Sequence, residues 1–336
     1  MEIKKVKQGF DLFLESVNLL MKSLNSSFLD ALIESGDNLN TGQIMVENGH
    51  PTEAEQKKLT EIYQQFSNLA LTAEQKRQVI QFALFRAQSV DKIQATHQLT
   101  PDSIGVLIAD FLKSFLPTSR PIVLVDPTVG TANLLLTLDH FLQKAGFSNL
   151  EFWGIDNDDT LLAIASMSVQ LQQTQIELYH QDAIDPWITP KADIIVADLP
   201  VGYYPLDEKT KNFTSRSVKG HSFVHHLLIE QSLLQLKPNG LGIFLVPKFI
   251  FQTAEAKALL KVIQSFAHFQ GLLNLPADLF ASKEAQKSLL ILQKKGPIAK
   301  QAVPVLIGEF PIIKDHAKLE NFVEQVKSWQ HKNLFY

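Results

Sequence analysis

Cysteine is absent from the 336 residues. A chain without it has no disulfide framework, no thiolate zinc site and no cysteine nucleophile, and it suits a cytoplasmic protein. An excess of positive charge is also missing, since 31 Lys and Arg face 35 Asp and Glu for a net charge of −4. Affinity for nucleic acid therefore cannot be read from bulk charge and has to come from a local patch. No apolar run approaches the roughly 20 residues that span a bilayer. The N-terminal MEIKKVKQGFDLFLESVNLL has neither the apolar core nor the small-residue cleavage site of a signal peptide. The G-x-G-x-x-G fingerprint and the Gly-Lys-Ser/Thr of a P-loop are absent too. What is present is an ordinary folded-protein composition, 45% hydrophobic and 20% charged, in a chain long enough for two domains.

Residues 1 to about 95 read as a helical domain, and 96–336 as a second domain. Leu59, Ile62, Tyr63, Phe66 and Leu69, then Val79, Phe82, Ala83 and Phe85, recur at helical spacing. Thr72 with Gln75 forms a capping-box signature between the two runs. The Gly/Asn-rich stretch Ser35 to Pro51 reads as a loop or short hairpin. From about residue 100 strands alternate with helices. PIVLVDP, EFWGID, QIELYHQDA, ADIIVADLP, GLGIFLVP, FQGLLNLP and SLLILQKK each predict a strand, and AVPVLIGEFP can add one more. Near-continuous apolar runs are how strands covered on both faces look, so the pattern predicts a largely parallel α/β sheet. The last two of the seven, joined by a loop, predict a hairpin at one edge. The helix FVHHLLIEQSLLQLKPNG is expected to stop at Pro238-Asn239-Gly240, and KLENFVEQVKSW reads as a final amphipathic helix.

In such sheets ligands bind beyond the carboxyl ends of the strands. Three strand ends carry acids: Asp126-Pro127 in VDPTVGTANLL, Asp156-Asn157 in GIDNDD, and Asp182-Ala183 in HQDA. Gly130 and Thr131 follow the first, ahead of a helix starting near Asn133, whose N–H groups and dipole suit a carboxylate or phosphate. Asp156 suits a ribose diol, and Asp182 an exocyclic amine such as adenine N6.

Asp-Pro-x-x-Gly-Thr-x-Asn-Leu-Leu, Gly-Ile-Asp, Gln-Asp-Ala and Asp-Leu-Pro, in that order, resemble class I S-adenosylmethionine-dependent methyltransferases. Within these, the chain resembles N6-adenine DNA methyltransferases and the modification subunits of type I restriction systems. His97-Gln98-Leu99-Thr100-Pro101, LKPNG and NLPADLF support the resemblance, which covers about residues 95 to 295. It implies a seven-stranded Rossmann-like sheet with an antiparallel edge hairpin and S-adenosyl-L-methionine as cofactor. Thr100, Asp126, Gly130 and Thr131 would surround the methionine end, with Pro127 and Asn133 beside them. Asp156 and Asn157 would take the ribose, and Asp182 and Ala183 the adenine. Ala132 stands where the family usually has glycine.

By the same resemblance the catalytic loop is Asp198-Leu199-Pro200-Val201 at the end of the fourth strand, with Asp198 also bordering the cofactor. An exocyclic amine is a poor nucleophile unless its hydrogens are accepted and its nitrogen aimed. Asp198 would supply a side-chain oxygen and Leu199 a carbonyl, while an aromatic stacks on a flipped base. Leu199 replaces the family's first proline and Val201 its stacking aromatic, a place Tyr203 or Tyr204 can take. The polar segment from Pro205 to Ser222, with Lys209, Lys211, Arg216 and Lys219, suits a lid or a phosphate contact. His221, His225 and His226 lack a suitably spaced carboxylate, so no metal site is expected.

The favoured expectation is methyl transfer to adenine N6 in DNA, with DNA and a separate specificity protein as partners, because no segment reads as a target-recognition domain. Methyl transfer to RNA, protein or a small molecule stays open, as does a catalytically silent cofactor-binding or interaction module. Oligomeric state is not legible.

Overall fold

The computed structural model describes residues 2–91, 100–117, 120–280, 282–312 and 315–334. The expected domain boundary at 95/96 and His97 to Leu99 lie outside these residues. The first helices are α1 (Glu2–Leu24), α2 (Phe28–Thr41), α3 (Glu53–Asn68), α4 (Ala73–Val90) and α5 (Asp102–Lys113). Then follow β1 (Ile122–Asp126), α6 (Asn133–Lys144), β2 (Leu150–Asp156), α7 (Asp159–Gln172), β3 (Ile176–His180) and β4 (Ala192–Asp198). The remainder is α8 (Val224–Gln235), β5 (Leu236–Pro247), α9 (Ala256–Phe266), β6 (Ala267–Asn274), β7 (Lys287–Lys294), β8 (Leu306–Glu309) and α10 (His316–Asn333).

The chain forms two compact units. One is drawn from the described part of Met1–Leu99, with Gly130–Leu136 and Asp158–Leu178. Its core joins Phe13, Val17 and Leu20 of α1, Phe28 and Leu32 of α2, Leu59 and Phe66 of α3, Val79, Ile80 and Ala83 of α4, and Ile164 and Met167 of α7. Capping boxes at Thr52/Glu55 and Thr72/Gln75 start α3 and α4. The inward face of α4 is 79, 80, 83, 84 and 87, and not the one that includes Phe82 and Phe85, which are 47% and 45% exposed.

Glycine misleads at Ser35–Pro51. Helix α2 continues to Thr41, and the break begins only at Gly42, whose φ of +68° caps the helix. Gly36 lies inside α2 because a Cβ there would collide with the Met167 side chain of α7. It is a packing glycine, not a turn glycine. Gly36→Ala is therefore expected to cost about 1–3 kcal/mol through overpacking, read as a lower denaturant midpoint at unchanged slope; an unaltered midpoint would contradict the close approach.

The second unit comprises the described residues of Thr100–Val129, Thr137–Asn157 and Tyr179–Tyr336. Among the described residues the sheet has eight strands in the order β3-β2-β1-β4-β5-β7-β6-β8. Strand β1 runs parallel to β2 and β4, and β4 parallel to β5, while β7 is antiparallel to both β5 and β6. The β6–β7 hairpin is not the edge, because β8 adds in parallel at Gly271↔Leu306 to Asn274↔Glu309. Residues of β1 and β4, and of β5 over 240–246, are almost wholly buried, which explains their unbroken apolar sequences. Helix α8 stops at Gln235, three residues short of the expected Pro238, and Leu236 already pairs with Ala192. Asn239 then takes a φ of +67°, and the ladder resumes at Ile194↔Leu241. Strand order reverses between β1 and β4, which pair at Leu124↔Ile194 and Val125↔Ile195. Just beyond those pairs stand Asp126 and Asp198.

Candidate active site

Asp126 ends β1 and is 1% exposed. Thr128 donates its N–H to Asp126 Oδ1 at 2.9 Å, and its hydroxyl lies 3.4 Å from the same oxygen and 3.3 Å from the Asp198 carbonyl. Burial pushes the Asp126 carboxyl up to about 8, and the negative charges of Asp156 and Asp198 push the same way. Asp126 at the end of β1 thus feels the acids that end β2 and β4. Pro127 behind them is buried, Asp156 half-buried and Asn157 exposed. Backbone bonds tie the segments after β1 and β3 to the end of β2: Val129 N–H to Ile155 O at 2.9 Å, and Gln181 N–H to Asp156 O at 2.9 Å. His180 Nε2 lies 3.1 Å from the Asn157 carbonyl.

Residues 130–136 are built into the helical unit. Gly130 and Ala132 have φ values of +52° and +61°. An alanine with a left-handed backbone is strained, and the glycine expected there by resemblance would relieve it. The Asn133 Oδ1 accepts from Arg77 Nη1 at 3.0 Å. Arg77 is 3% exposed and also clasps Glu74 through Nε and Nη2 at 2.8 and 2.7 Å. Asn133 is thereby fixed by a buried guanidinium that sequence inspection does not single out.

Asp182 follows β3. Its Oδ1 accepts from Ile184 N–H at 3.2 Å, and its Oδ2 from the Tyr204 hydroxyl at 2.6 Å and Lys209 Nζ at 3.2 Å. The neighbouring Ala183 is buried, and its carbonyl accepts from Trp187 Nε1 at 2.7 Å. Lys209 reaches Asp185 as well, at 2.8 Å, and these acids raise its ammonium above the usual lysine range.

In the Asp198 loop, Asp198 Oδ2 accepts from the Thr100 hydroxyl at 2.9 Å and Oδ1 is paired with the Lys287 ammonium. Leu199 is fully buried in the core and donates its N–H to Leu245 O at 3.1 Å. A proline at 199 could not make that bond, so leucine here extends the β4–β5 ladder by one residue. Pro200 is half-buried, and its carbonyl is bonded by His225. His225 and His226 pack edge to face, 4.9 Å between ring centres, and burial lowers them to about 3 and about 4. They are neutral core groups, whereas His221 sits on the surface, 3.0 Å from Asp207.

The two tyrosines separate. Tyr203 is 62% exposed and stacks on Phe223 with ring centres 4.8 Å apart and planes inclined by 17°. Tyr204 is buried, and burial followed by the Asp182 carboxylate raises its phenol. Of the two aromatics, only Tyr203 keeps an exposed ring. Segment 205–222 is not an open loop either. Asp207–Thr210 is a 3-10 turn, Lys211 pairs with Glu208, and the buried Glu230 of α8 accepts N–H bonds from Thr214 and Ser215 at 3.0 and 2.7 Å. Two of its four expected phosphate-binding cations, Lys209 and Lys211, are thus already paired with acids.

Tyr204 and Lys209 tie this segment to the acid that follows β3. Tyr204→Phe removes one charge-assisted bond, expected to cost about 1.5–3 kcal/mol. It should also speed tryptic cleavage after Lys209, Lys211, Arg216 and Lys219; wild-type cleavage rates would contradict the anchoring.

A sheet of this strand order, with acids at the ends of its first, second and fourth strands and helices on its flanks, is the fold of a class I methyltransferase. The N-6 DNA methylase model matches residues 82–327, and a model of the YtxK N-terminal helical domain matches residues 7–87. The chain belongs to the N-6 DNA methylase family. Over 326 residues it is 30% identical to the uncharacterized protein YtxK of Bacillus subtilis (strain 168), covering 96% of this chain and 97% of that one. A solved structure of a proposed class I S-adenosylmethionine-dependent methyltransferase from Listeria monocytogenes is 33% identical, with a TM-score of 0.89 over 97% of this chain and 99% of the other. The type I restriction-modification methyltransferase subunit from Streptococcus thermophilus has a TM-score of 0.65 over 95% of this chain and 74% of its own. At 16% identity that likeness is one of fold. Among the described residues, no helix is long and apolar enough to cross a membrane.

Proposed function

We propose that this protein is an S-adenosylmethionine-dependent N-methyltransferase that acts on adenine N6 in DNA. The observation that carries the reading is the acid cluster at the ends of β1, β2 and β4, in which Asp126 is buried with Asp156 and Asp198 acting on its carboxyl. Such a cluster is costly alone and complementary to a cation. S-adenosylmethionine, when bound, supplies a sulfonium methyl and an α-ammonium, so the donor set fits it. Asp126 and Thr100 would face the methionine end, Asp156 with Asn157 the ribose, and Asp182 with Ala183 the adenine.

Asp198 would accept one hydrogen of the acceptor amine and Leu199 O the other, which turns the nitrogen lone pair toward the methyl. Tyr203, exposed on its Phe223 support, is the ring to stack on a base outside the duplex. Family membership supports adenine as the acceptor, and the neighbour described as a type I restriction-modification methyltransferase subunit supports a separate specificity protein. The test is incubation of unmethylated DNA with the protein and methyl-labelled S-adenosylmethionine, followed by digestion to nucleosides. Label in N6-methyladenine supports the reading; label only in protein or RNA added in parallel moves the substrate. One observation favours a module without turnover: both Asp198 oxygens already have partners.

A further inference from the structure

Lys287 is the partner of Asp198 that the sequence motifs leave out. It opens β7, 89 residues beyond the acid. Pairing with Pro247, and a bond from Leu275 N–H to Lys287 O at 3.1 Å, fix its backbone, so only its side chain can leave. The two side chains are 21% and 17% exposed, a pair mostly withdrawn from water and unlike a loose surface bridge. The carboxylate it engages is the one an acceptor amine has to use. An ammonium bonds a carboxylate more strongly than a neutral exocyclic amine does. Its charge also opposes a step in which the acceptor nitrogen turns cationic.

Resting on the methyltransferase reading above, we propose that Lys287 is a specificity-determining residue whose ammonium stands in the acceptor amine's place on Asp198 and has to be displaced by the acceptor. A displaced ammonium needs another anion. A phosphodiester beside the target nucleotide provides one, and a free nucleoside does not. Lys287 thereby admits adenine within a nucleic acid strand and rejects it as a free nucleoside. Thr100, neutral and on the other oxygen, is left to hold the carboxylate's orientation.

The test uses the full chain, as wild type, Lys287→Met, Lys287→Arg, Asp198→Asn and the Lys287→Met/Asp198→Asn double variant. S-adenosylhomocysteine is titrated first by calorimetry. Adenosine and a short adenine-containing single-stranded oligodeoxynucleotide are then titrated into each saturated protein. Lys287→Met is expected to tighten adenosine binding by roughly tenfold, the worth of one charge-assisted hydrogen bond. It should narrow the preference for the oligonucleotide, while Lys287→Arg keeps the wild-type pattern. In the Asp198→Asn background the same change should do nothing, a dependence that a purely structural lysine would not show. Adenosine binding that Lys287→Met leaves equal, weaker or undetectable overturns the proposal. Failure of S-adenosylhomocysteine to bind wild type sinks the methyltransferase reading itself and the proposal with it.

Discussion

Replacing Asp198 with alanine is expected to lower methyl transfer at least about a hundredfold while leaving affinity for S-adenosylmethionine within about threefold. The side chain is the only carboxylate on the Asp198-Leu199-Pro200 loop, and Thr100 and Lys287 hold both of its oxygens. Alanine removes the oxygen that would accept the amine hydrogen and leaves the acids of β1 and β2 intact. Asparagine at 198 keeps an oxygen, frees Lys287 from its ion pair and should retain a substantial part of the rate. Single-turnover transfer alongside cofactor titration separates the two effects. Equal activity of Asp198→Ala and wild type would exclude Asp198 from catalysis, and equal loss in both variants would show that its charge, not its oxygen, matters.

Asp126→Asn is expected to move stability and cofactor affinity in opposite directions. Burial holds the Asp126 carboxyl at about 8, against its ordinary 3.8. An acid raised in the folded state lends stability that is complete below its unfolded value and is lost as pH rises through the folded one. Above pH 8 the folded protein carries a buried, ionised Asp126 beside two other acids. Asparagine keeps an oxygen for the Thr128 N–H and never ionises, so at pH 9 the variant should be more stable than wild type by about 2–4 kcal/mol. A cationic ligand needs that charge: wild-type affinity for S-adenosylmethionine should climb as pH passes 8, and the variant's should stay flat and at least about tenfold weaker. Thermal unfolding and calorimetry across pH 6–9 measure both. A variant less stable than wild type at pH 9, or binding as tightly, would contradict a functional origin for the buried acid.

What could be read from sequence follows from which signals are local. The strands of the second unit are legible because β1, β4 and the 240–246 part of β5 are buried along nearly their whole length and read as unbroken apolar runs. The acids are legible because each closes such a run. Partners far away in sequence are not: Lys287 lies one residue before SLLILQKK and looks like the charged flank of a strand, and Arg77 looks like one more polar residue of an amphipathic helix. Phe82 and Phe85 recur at helical spacing yet stand exposed, because Ile80, Leu84 and Ala87 complete the buried α4 stripe with Val79 and Ala83. Gly36 and the KPNG stretch mislead for a common reason. Glycine and asparagine signal a turn by their backbone freedom, yet in α2 the glycine is demanded by the Met167 side chain, and at Asn239 the positive φ falls within a strand. Leu199 reverses the lesson: a departure that looked catalytic has a backbone bond to Leu245 as its reason.

Whether the acid-tipped strands bind S-adenosylmethionine is decided by calorimetric titration of the purified protein with that compound, repeated with Asp156→Ala and with mixed duplex DNA present. The expected result is saturable binding near the micromolar range, about −8 kcal/mol, lost in Asp156→Ala and tightened by DNA. No heat of binding with wild type under either condition would contradict it.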